Sequence, residues 1–571
     1  MRRLITRRRA LFSILLIAVL LAAAWIYWNR LTRSDLSAFA PSNCLAFVEG
    51  DDLAALVTGI EQTEAWRTLS GPLAAPQTLL PNRWLLRLAR WTGTGSADTI
   101  LFARSQVGVV FTGAEASQSE ATLTIKPLAT FIIETHTSQG RMKPAVERHI
   151  EDLARRVYRN PGLLRKQIDG IDLEEWISDD KSHQIVFAFV DTTVIVGNDE
   201  STVLHSIEAH NGKRASLRDA KEFAVQRNGV GESSTLLFGY ISQSGVRSLL
   251  QAFVIYRGGS SADAITTAPI FADTFGALVN SISWTSRLAD GSVEDRCQIN
   301  LPDDVAEKLR SMVPQHGFDL TKLSFIPSDA YSFSNYQLRD PATFWSNLNA
   351  VVSSHADLIG SVAARPILRG LLRPYGIDDP DTFARAIGPN LRTIRIEENS
   401  PSVLIVEAFD RQALRTLILK RLGKNSKSGQ AGNAEIMVSS SDNFAAAFID
   451  NYVLLGPAEA VRRCLATATQ SQSITSQESF RRAEKVLDVS LPFTVITFAS
   501  DQRAAISFVE AFSRQERPAF ATNAAQVDQA VSGLPYAVSV TLLKGSSIEW
   551  TSRSSFGLAG SLVAQFAPES K

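Results

Sequence analysis

Seven histidines, His136, His149, His183, His205, His210, His316 and His355, are the first place to look for metal or acid–base chemistry in this chain. None pairs at i, i+4 or forms H-x-x-x-H. His205 and His210 are five apart, which separates them by about 140° on a helix and argues against joint ligation, so solvated or capping roles are expected and no metal is implied. Cys44, Cys297 and Cys464 form no C-x-x-C and leave at least one odd thiol; they read as small buried apolar side chains. Neither a nucleophile elbow, G-x-S-x-G, nor a phosphate loop, G-x-x-x-x-G-K-[ST], occurs. Acids cluster at Asp51-Asp52, Asp179-Asp180 and Asp378-Asp379-Asp381. A catalytic pair could be drawn from them, but they lie beside Gly, Pro and Ser, where turn and cap residues are found. No catalytic residue, cofactor or metal site is assigned.

One pattern points to contact rather than catalysis. Arg83, Arg87 and Arg90 share one helical face, flanked by Trp84, Leu88 and Trp91, and Arg365, Arg369 and Arg373 recur every four residues among Ile367, Leu368, Leu371 and Leu372. Such a basic amphipathic stretch can dock on anionic lipid or an acidic partner. The plainer reading, and the preferred one, is a helix covering a sheet with its Arg stems reaching outward.

The elements that would position these residues follow from hydrophobic period. CLAFVEG from Cys44 alternates as a strand, and Leu53, Leu56, Val57 and Ile60 then mark a helix. A helix from about Val146 to Tyr158, strands near Ile171 to Ile177 and Ile185 to Val190 around an Asp/Ser turn, and a strand Val194 to Gly197 come next. Asn198 or Asp199 opens a helix carrying Val203, Leu204 and Ile207. Adjacent strands mixed with single helices predict an α+β fold, a mostly antiparallel sheet with helices on one side.

The chain also resembles itself. FAPSNCLAF at Phe39 aligns with FIPSDAYSF at Phe325, and FVDTTVIVG at Phe189 with FIDNYVLLG at Phe448, each with four of nine positions identical. FIIET at Phe131 corresponds to LIVEA at Leu404, TLLF at Thr235 to TVIT at Thr494, and a strand beginning at Ala277 to one at Ala537. The matches are collinear, which predicts a tandem duplication: a first α+β copy at 34–301, a linker at 302–323 with Pro302-Asp303-Asp304 able to cap a helix Val305 to Met312, and a second copy at 324–571. Two sheets in tandem are expected, packed about a pseudo-twofold axis with a groove between them. Asp191 and Asp450 occupy the same position in both copies, as a turn residue would.

Lys+Arg and Asp+Glu are both 58, but seven arginines precede the first acid, Asp35, and the remaining body is mildly acidic. That disfavours nucleic acid as a partner. Between Arg9 and Arg30 the segment 10–28 carries no charge, long enough as a helix to cross a bilayer once. Five arginines before it and two close after predict a cytoplasmic amino terminus and an exported body. Residues 1–33 are thus read as a cytoplasmic Arg-rich tail and transmembrane anchor in the cytoplasmic membrane. A signal peptide cleaved near Ala22-Ala23-Ala24 is the competing reading, and a twin-arginine signal around Arg7-Arg8 a weaker one.

An anchor, a strand opened near Pro41, the acidic turn Glu49-Gly50-Asp51-Asp52 and a duplicated α+β body together resemble a bacterial family of membrane-anchored exported proteins of uncharacterised function. The resemblance covers nearly the whole chain, is one of layout, and supplies no catalytic residues. It implies an extracytoplasmic body. The function expected is a non-enzymatic binding or scaffolding module of the cell envelope, held in the bilayer by residues 10–28, with an envelope protein or an apolar ligand as partner. The alternatives are a cell-envelope hydrolase assembled from distant segments and a lipid or apolar-ligand carrier.

Overall fold

Turns fix the register of this protein. Asp169-Gly170 and Asp290-Gly291 take left-handed backbone conformations, with φ of 54° and 81° and of 47° and 76°, and Asp–Gly pairs enter that region readily. Asp191 and Asp450 are left-handed as well, at φ 50° and 49°, each in the turn of a hairpin. The computed structural model describes residues 33–565 except 51–52, 74, 76–104, 119–122, 159, 229–234, 259–261, 315–316, 318–322, 356–371, 424–425, 471–472, 488–490 and 514–523.

The first half contributes β1 (Ala46–Gly50), β2 (Gln106–Gln118), β3 (Leu123–Glu134), β4 (Gly162–Ile168), β5 (Ile171–Ile177), β6 (Gln184–Val190), β7 (Thr193–Gly197), β8 (Thr235–Ser242), β9 (Ser281–Ala289) and β10 (Ser292–Asn300). The second contributes β11 (Ser332–Gln337), β12 (Ile387–Arg395), β13 (Val403–Ala408), β14 (Lys427–Ala431), β15 (Ala434–Val438), β16 (Phe444–Ile449), β17 (Tyr452–Pro457), β18 (Val495–Ala499), β19 (Ala537–Lys544) and β20 (Ser547–Ser554). Every pairing is antiparallel. In space the first ten run β4-β5-β6-β7-β3-β2-β1-β8-β9-β10, and the second ten β14-β15-β16-β17-β13-β12-β11-β18-β19-β20. An isolated bridge ties Pro41 to Ser216 in one half and Pro327 to Ser473 in the other.

Two expectations need correction. The sheets are not separate: β10 pairs with β20 from Val293↔Ser554 to Asn300↔Ser547, giving one 20-stranded sheet. Nor do helices cover one side only. In β6, Val186 and Ala188 point into one core cluster and Phe187 and Phe189 into another, so both faces are apolar and both need a cover. Helix α3 (Gln139–Val157) supplies it on one side through Met142, Val146 and Ile150, and α4 (Glu200–His210) on the other through Val203 and Ile207. The continuous apolar run of β6 was the sequence signal for this.

Over the central strands the cover is shared. Helices α1 (Leu53–Glu61) and α2 (Glu64–Leu69) bury Val57, Ile60, Trp66 and Leu69 against Phe508 and Val509 of α14 (Gln502–Ser513), Val531 of α15 (Ala524–Ser532) and Ala559 of α16 (Gly557–Gln565). Asp295 of β10 accepts the backbone N–H of Leu558 at 2.8 Å, capping α16 from the other half of the chain. Among the described residues the remaining α-helices are α5 (Lys221–Asn228), α6 (Gln243–Gly258), α7 (Ala262–Gly276), α8 (Asp303–Arg310), α9 (Pro341–His355), α10 (Pro380–Ala386), α11 (Arg411–Leu422), α12 (Ala458–Gln470) and α13 (Glu478–Glu484). The expected strand at Ala277 begins instead at Ser281, because α7 runs on to Gly276 and Leu278 packs beside Trp345 and Val305. Among the described residues no helix is long and apolar enough to cross a membrane, and residues 10–28 lie outside them.

Candidate functional site

Alternation along the three middle strands builds a large polar cleft among the described residues. Glu294, Arg296, Gln298 and Asn300 of β10 share a face with Arg287, Thr285, Ser283 and Ser281 of β9 and with Arg553, Thr551, Glu549 and Ser547 of β20. The same face is apolar on either side, at Phe238 and Tyr240 in β8 and at Val538 and Val540 in β19. The polar floor therefore lies at the joint between the halves, between two cores. It opens into a cleft of about 700 Å³, walled by Lys221, Glu222, Val225 and Gln226 of α5 and by Lys544 and Ser546 at the β19–β20 turn.

Hydrogen bonds in the floor have imposed directions. Ser281, fully buried, donates its hydroxyl hydrogen to Glu222 Oε1. It must then accept, and does so from Gln226 Nε2 at 2.8 Å and Asn300 Nδ2 at 3.1 Å. Gln298 Nε2 in turn donates to Ser547 Oγ at 3.2 Å and to Asn300 Oδ1 at 3.4 Å. With its nitrogen committed to Ser281, Gln226 leaves its Oε1 buried and without a hydrogen-bond partner at the cleft wall, an arrangement that costs about 1–3 kcal/mol when nothing fills it.

At one end of the floor three arginines converge on one carboxylate. Glu294, only 4% exposed, accepts from Arg287 Nε at 2.9 Å, Arg553 Nε at 3.0 Å and Arg296 Nη2 at 3.3 Å. Burial opposes its charge, but the Arg287 and Arg553 guanidinium groups outweigh that and hold the carboxyl below its ordinary value. Arg553 also pairs with Asp290, and Arg296 remains half exposed.

Among the described residues no arrangement for nucleophilic catalysis accompanies the cleft. Of the carboxylates lining it, Glu222 and Glu549 are bound to Ser281 and to Lys544, the latter at 3.3 Å, and Asp303 stands in the first turn of α8. Asp180, Ser182 and His183 do meet, with Ser182 Oγ 2.7 Å from Asp180 Oδ2 and 2.6 Å from His183 Nδ1. There, however, the hydroxyl sits between acid and imidazole, whereas a triad needs the imidazole in the middle. The cluster is an exposed turn, and hydrogen bonds from Ser178 and Ser182 lower the Asp180 carboxyl to about 2. Asp379 caps α10 through the Thr382 N–H at 3.1 Å, while Asp51 and Asp52 lie outside the described residues. Cys44 and Cys464 are buried, and desolvation pushes both thiols up to about 12. His210 stacks on Phe39 with ring centroids 4.0 Å apart, and burial lowers its pKa.

Of the basic residues singled out in the sequence, Arg83, Trp84, Arg87, Arg90, Trp91, Arg365 and Arg369 lie outside the described residues. Arg373 opens an exposed 3-10 turn, Arg373–Tyr375, ended by left-handed Gly376, and does not line the cleft. The cleft itself escaped the sequence reading, because its residues come from strands 250 positions apart. A signal was nonetheless present: β9 and β10 place Ser, Thr, Gln, Asn and Arg on alternate positions of strands that are central rather than edge.

No family model matches the chain, and no curated protein matches it. Among solved structures it is similar to crystal form I of TP0453, at 9% identity over 47% of this chain and 80% of that one, with a TM-score of 0.24. Crystal form III of TP0453 gives 9% identity over 50% and 90%, again with a TM-score of 0.24; likenesses of that size fix neither fold nor function.

Proposed function

We propose that this protein is a single-pass, membrane-anchored extracytoplasmic module of the bacterial envelope, built as a tandem duplication, and that its body binds a ligand in the polar cleft without turning it over. The cleft carries this reading: among the described residues, a central sheet face opens into a space of about 700 Å³ walled by α5 and the β19–β20 turn and lined by hydroxyls, carboxamides and ion pairs, a concave surface suited to a ligand of matching polarity. The matching strand order of the two halves and the collinear sequence matches support the duplication. The charge-free segment 10–28 behind five arginines supports the anchor. An apolar-ligand carrier is less well supported, since among the described residues Val225, Trp284 and Leu301 are the only apolar ones lining this cleft.

Two measurements test it. Alkaline phosphatase fused after Lys571 should be active, and a green fluorescent protein fused there dark; the reverse would overturn the exported body. A photocrosslinker at Ser546 should capture a reproducible species from intact cells that a crosslinker at exposed Arg503 does not, and Thr285→Trp, which fills the floor, should abolish it. Capture indifferent to Thr285→Trp would overturn the cleft as the binding site.

A further inference from the structure

We infer that the ligand of the cleft is an extended carbohydrate chain carrying carboxylate groups. The inference rests on the reading of this cleft as the binding site. Three observations carry it.

The first is the chemistry of the floor. Ser283 and Thr285 offer hydroxyls, which both donate and accept, and Gln298 keeps its Oε1 as an acceptor while its Nε2 is engaged within the floor. Sugar hydroxyls do both as well, so a polyhydroxylated chain can match such a surface along its length. A peptide backbone offers alternating single donors and acceptors and would leave many of these groups unpaired.

The second is the orphaned acceptor. Glu222 takes the Ser281 hydrogen, Ser281 must accept from Gln226, and Gln226 Oε1 is left buried and unpaired at the wall, on a residue 7% exposed. Flipping the amide would set its oxygen against a hydroxyl oxygen that has no hydrogen to spare. Only a small shift of the α5 wall would let a ligand donor, a hydroxyl or an acetamido N–H, satisfy this oxygen.

The third is the excess of guanidinium. Two carboxylates, buried Glu294 and exposed Asp290, serve Arg287, Arg553 and Arg296, and Arg296 makes the longest contact to Glu294 while its side chain is 52% exposed at the cleft. Its free N–H groups are placed to take a carboxylate from the ligand in the fork geometry such pairs prefer.

The test uses the full chain in detergent and three probes by isothermal titration: tetragalacturonate, N-acetylchitotetraose and tetraglutamate. Both sugars should saturate, with tetragalacturonate about 10-fold tighter. Gln226→Met should weaken both sugars about 10-fold, because the donor then meets no acceptor. Arg296→Ala, at an exposed position, should weaken tetragalacturonate alone, to the level of the neutral sugar. Gln298→Ala stands in should Gln226→Met fail to fold, with thermal midpoints as the check. If tetraglutamate binds, is blocked by Thr285→Trp, and neither sugar binds, the carbohydrate assignment is overturned while the cleft stands. If the sugars bind but Thr285→Trp does not affect them, the cleft assignment is overturned too. No binding by any sugar at about 10 mM overturns the inference.

Discussion

Trp66→Ala should destabilise both halves of the molecule at once. Trp66 is fully buried on α2, a helix of the first half, and its ring meets Phe508 of α14 edge-on with centroids 6.2 Å apart. Around it lie Ile60 and Leu69 from one half and Val509, Val531, Leu534 and Ala559 from the other. Truncating a buried aromatic to alanine costs about 3–5 kcal/mol, part lost transfer energy and part the cavity left behind. Total stabilities of about 5–15 kcal/mol make that a large share. Because the cavity would open between helices of both halves, the loss cannot be confined to one. Urea unfolding followed by far-ultraviolet circular dichroism should therefore show one transition, shifted to lower urea with an unchanged slope. Phe333→Ala, in a cluster drawn from second-half residues alone, is the comparison, with a loss of similar size. If Trp66→Ala instead splits the curve into an early step and an unmoved late one, the halves are independent and the shared-cover argument fails.

Three further expectations follow from single sites. Glu294 has a folded-state pKa below its ordinary value, so its contribution is present above the unfolded carboxylate pKa and is lost as pH falls through the lower folded value; Glu294→Gln should lower the thermal midpoint at neutral pH and flatten its acid decline relative to the parent. Gly197→Ala would set a Cβ 2.7 Å from Val203 Cγ2, costing about 1–3 kcal/mol, and Val203→Ala in the same chain should recover part of that loss, measured by chemical denaturation. Asp191→Val should cost about 1–2 kcal/mol at its left-handed φ, while Asp191→Gly should be nearly neutral; equal losses from both would argue for a role of the carboxylate itself.

Local structure was legible where period and turn chemistry agree. The strand expected at Ile171 to Ile177 has those bounds in the structure, and the helix expected after Asn198 or Asp199 runs Glu200–His210 with Asp199 accepting the Thr202 N–H. The helix expected at Val146 starts seven residues sooner, at Gln139, because Met142 belongs to the buried stripe, and it runs through Pro144. What could not be read was long-range pairing. Nothing in SVEDRCQIN announces that its partner is SIEWTSRS more than two hundred residues later, since a polar-faced strand specifies its neighbour only through side chains not yet placed beside it. The cleft depends on that pairing and was hidden with it.

The β10–β20 joint sets a timing problem for the cell. Gln298 reaches Ser547 across 249 positions of chain, and at about 5–20 residues per second a ribosome needs roughly 12–50 s to supply the partner. Throughout that interval β10 is a bare edge with eight unanswered positions, the kind of template that recruits neighbouring chains. Finished protein escapes this, since among the described strands only β4 and β14 remain outermost, bearing Arg165, Lys166 and Lys427. A product truncated after Asn300 would keep the hazard permanently, and its natural remedy would be a second identical fragment laid against the same edge.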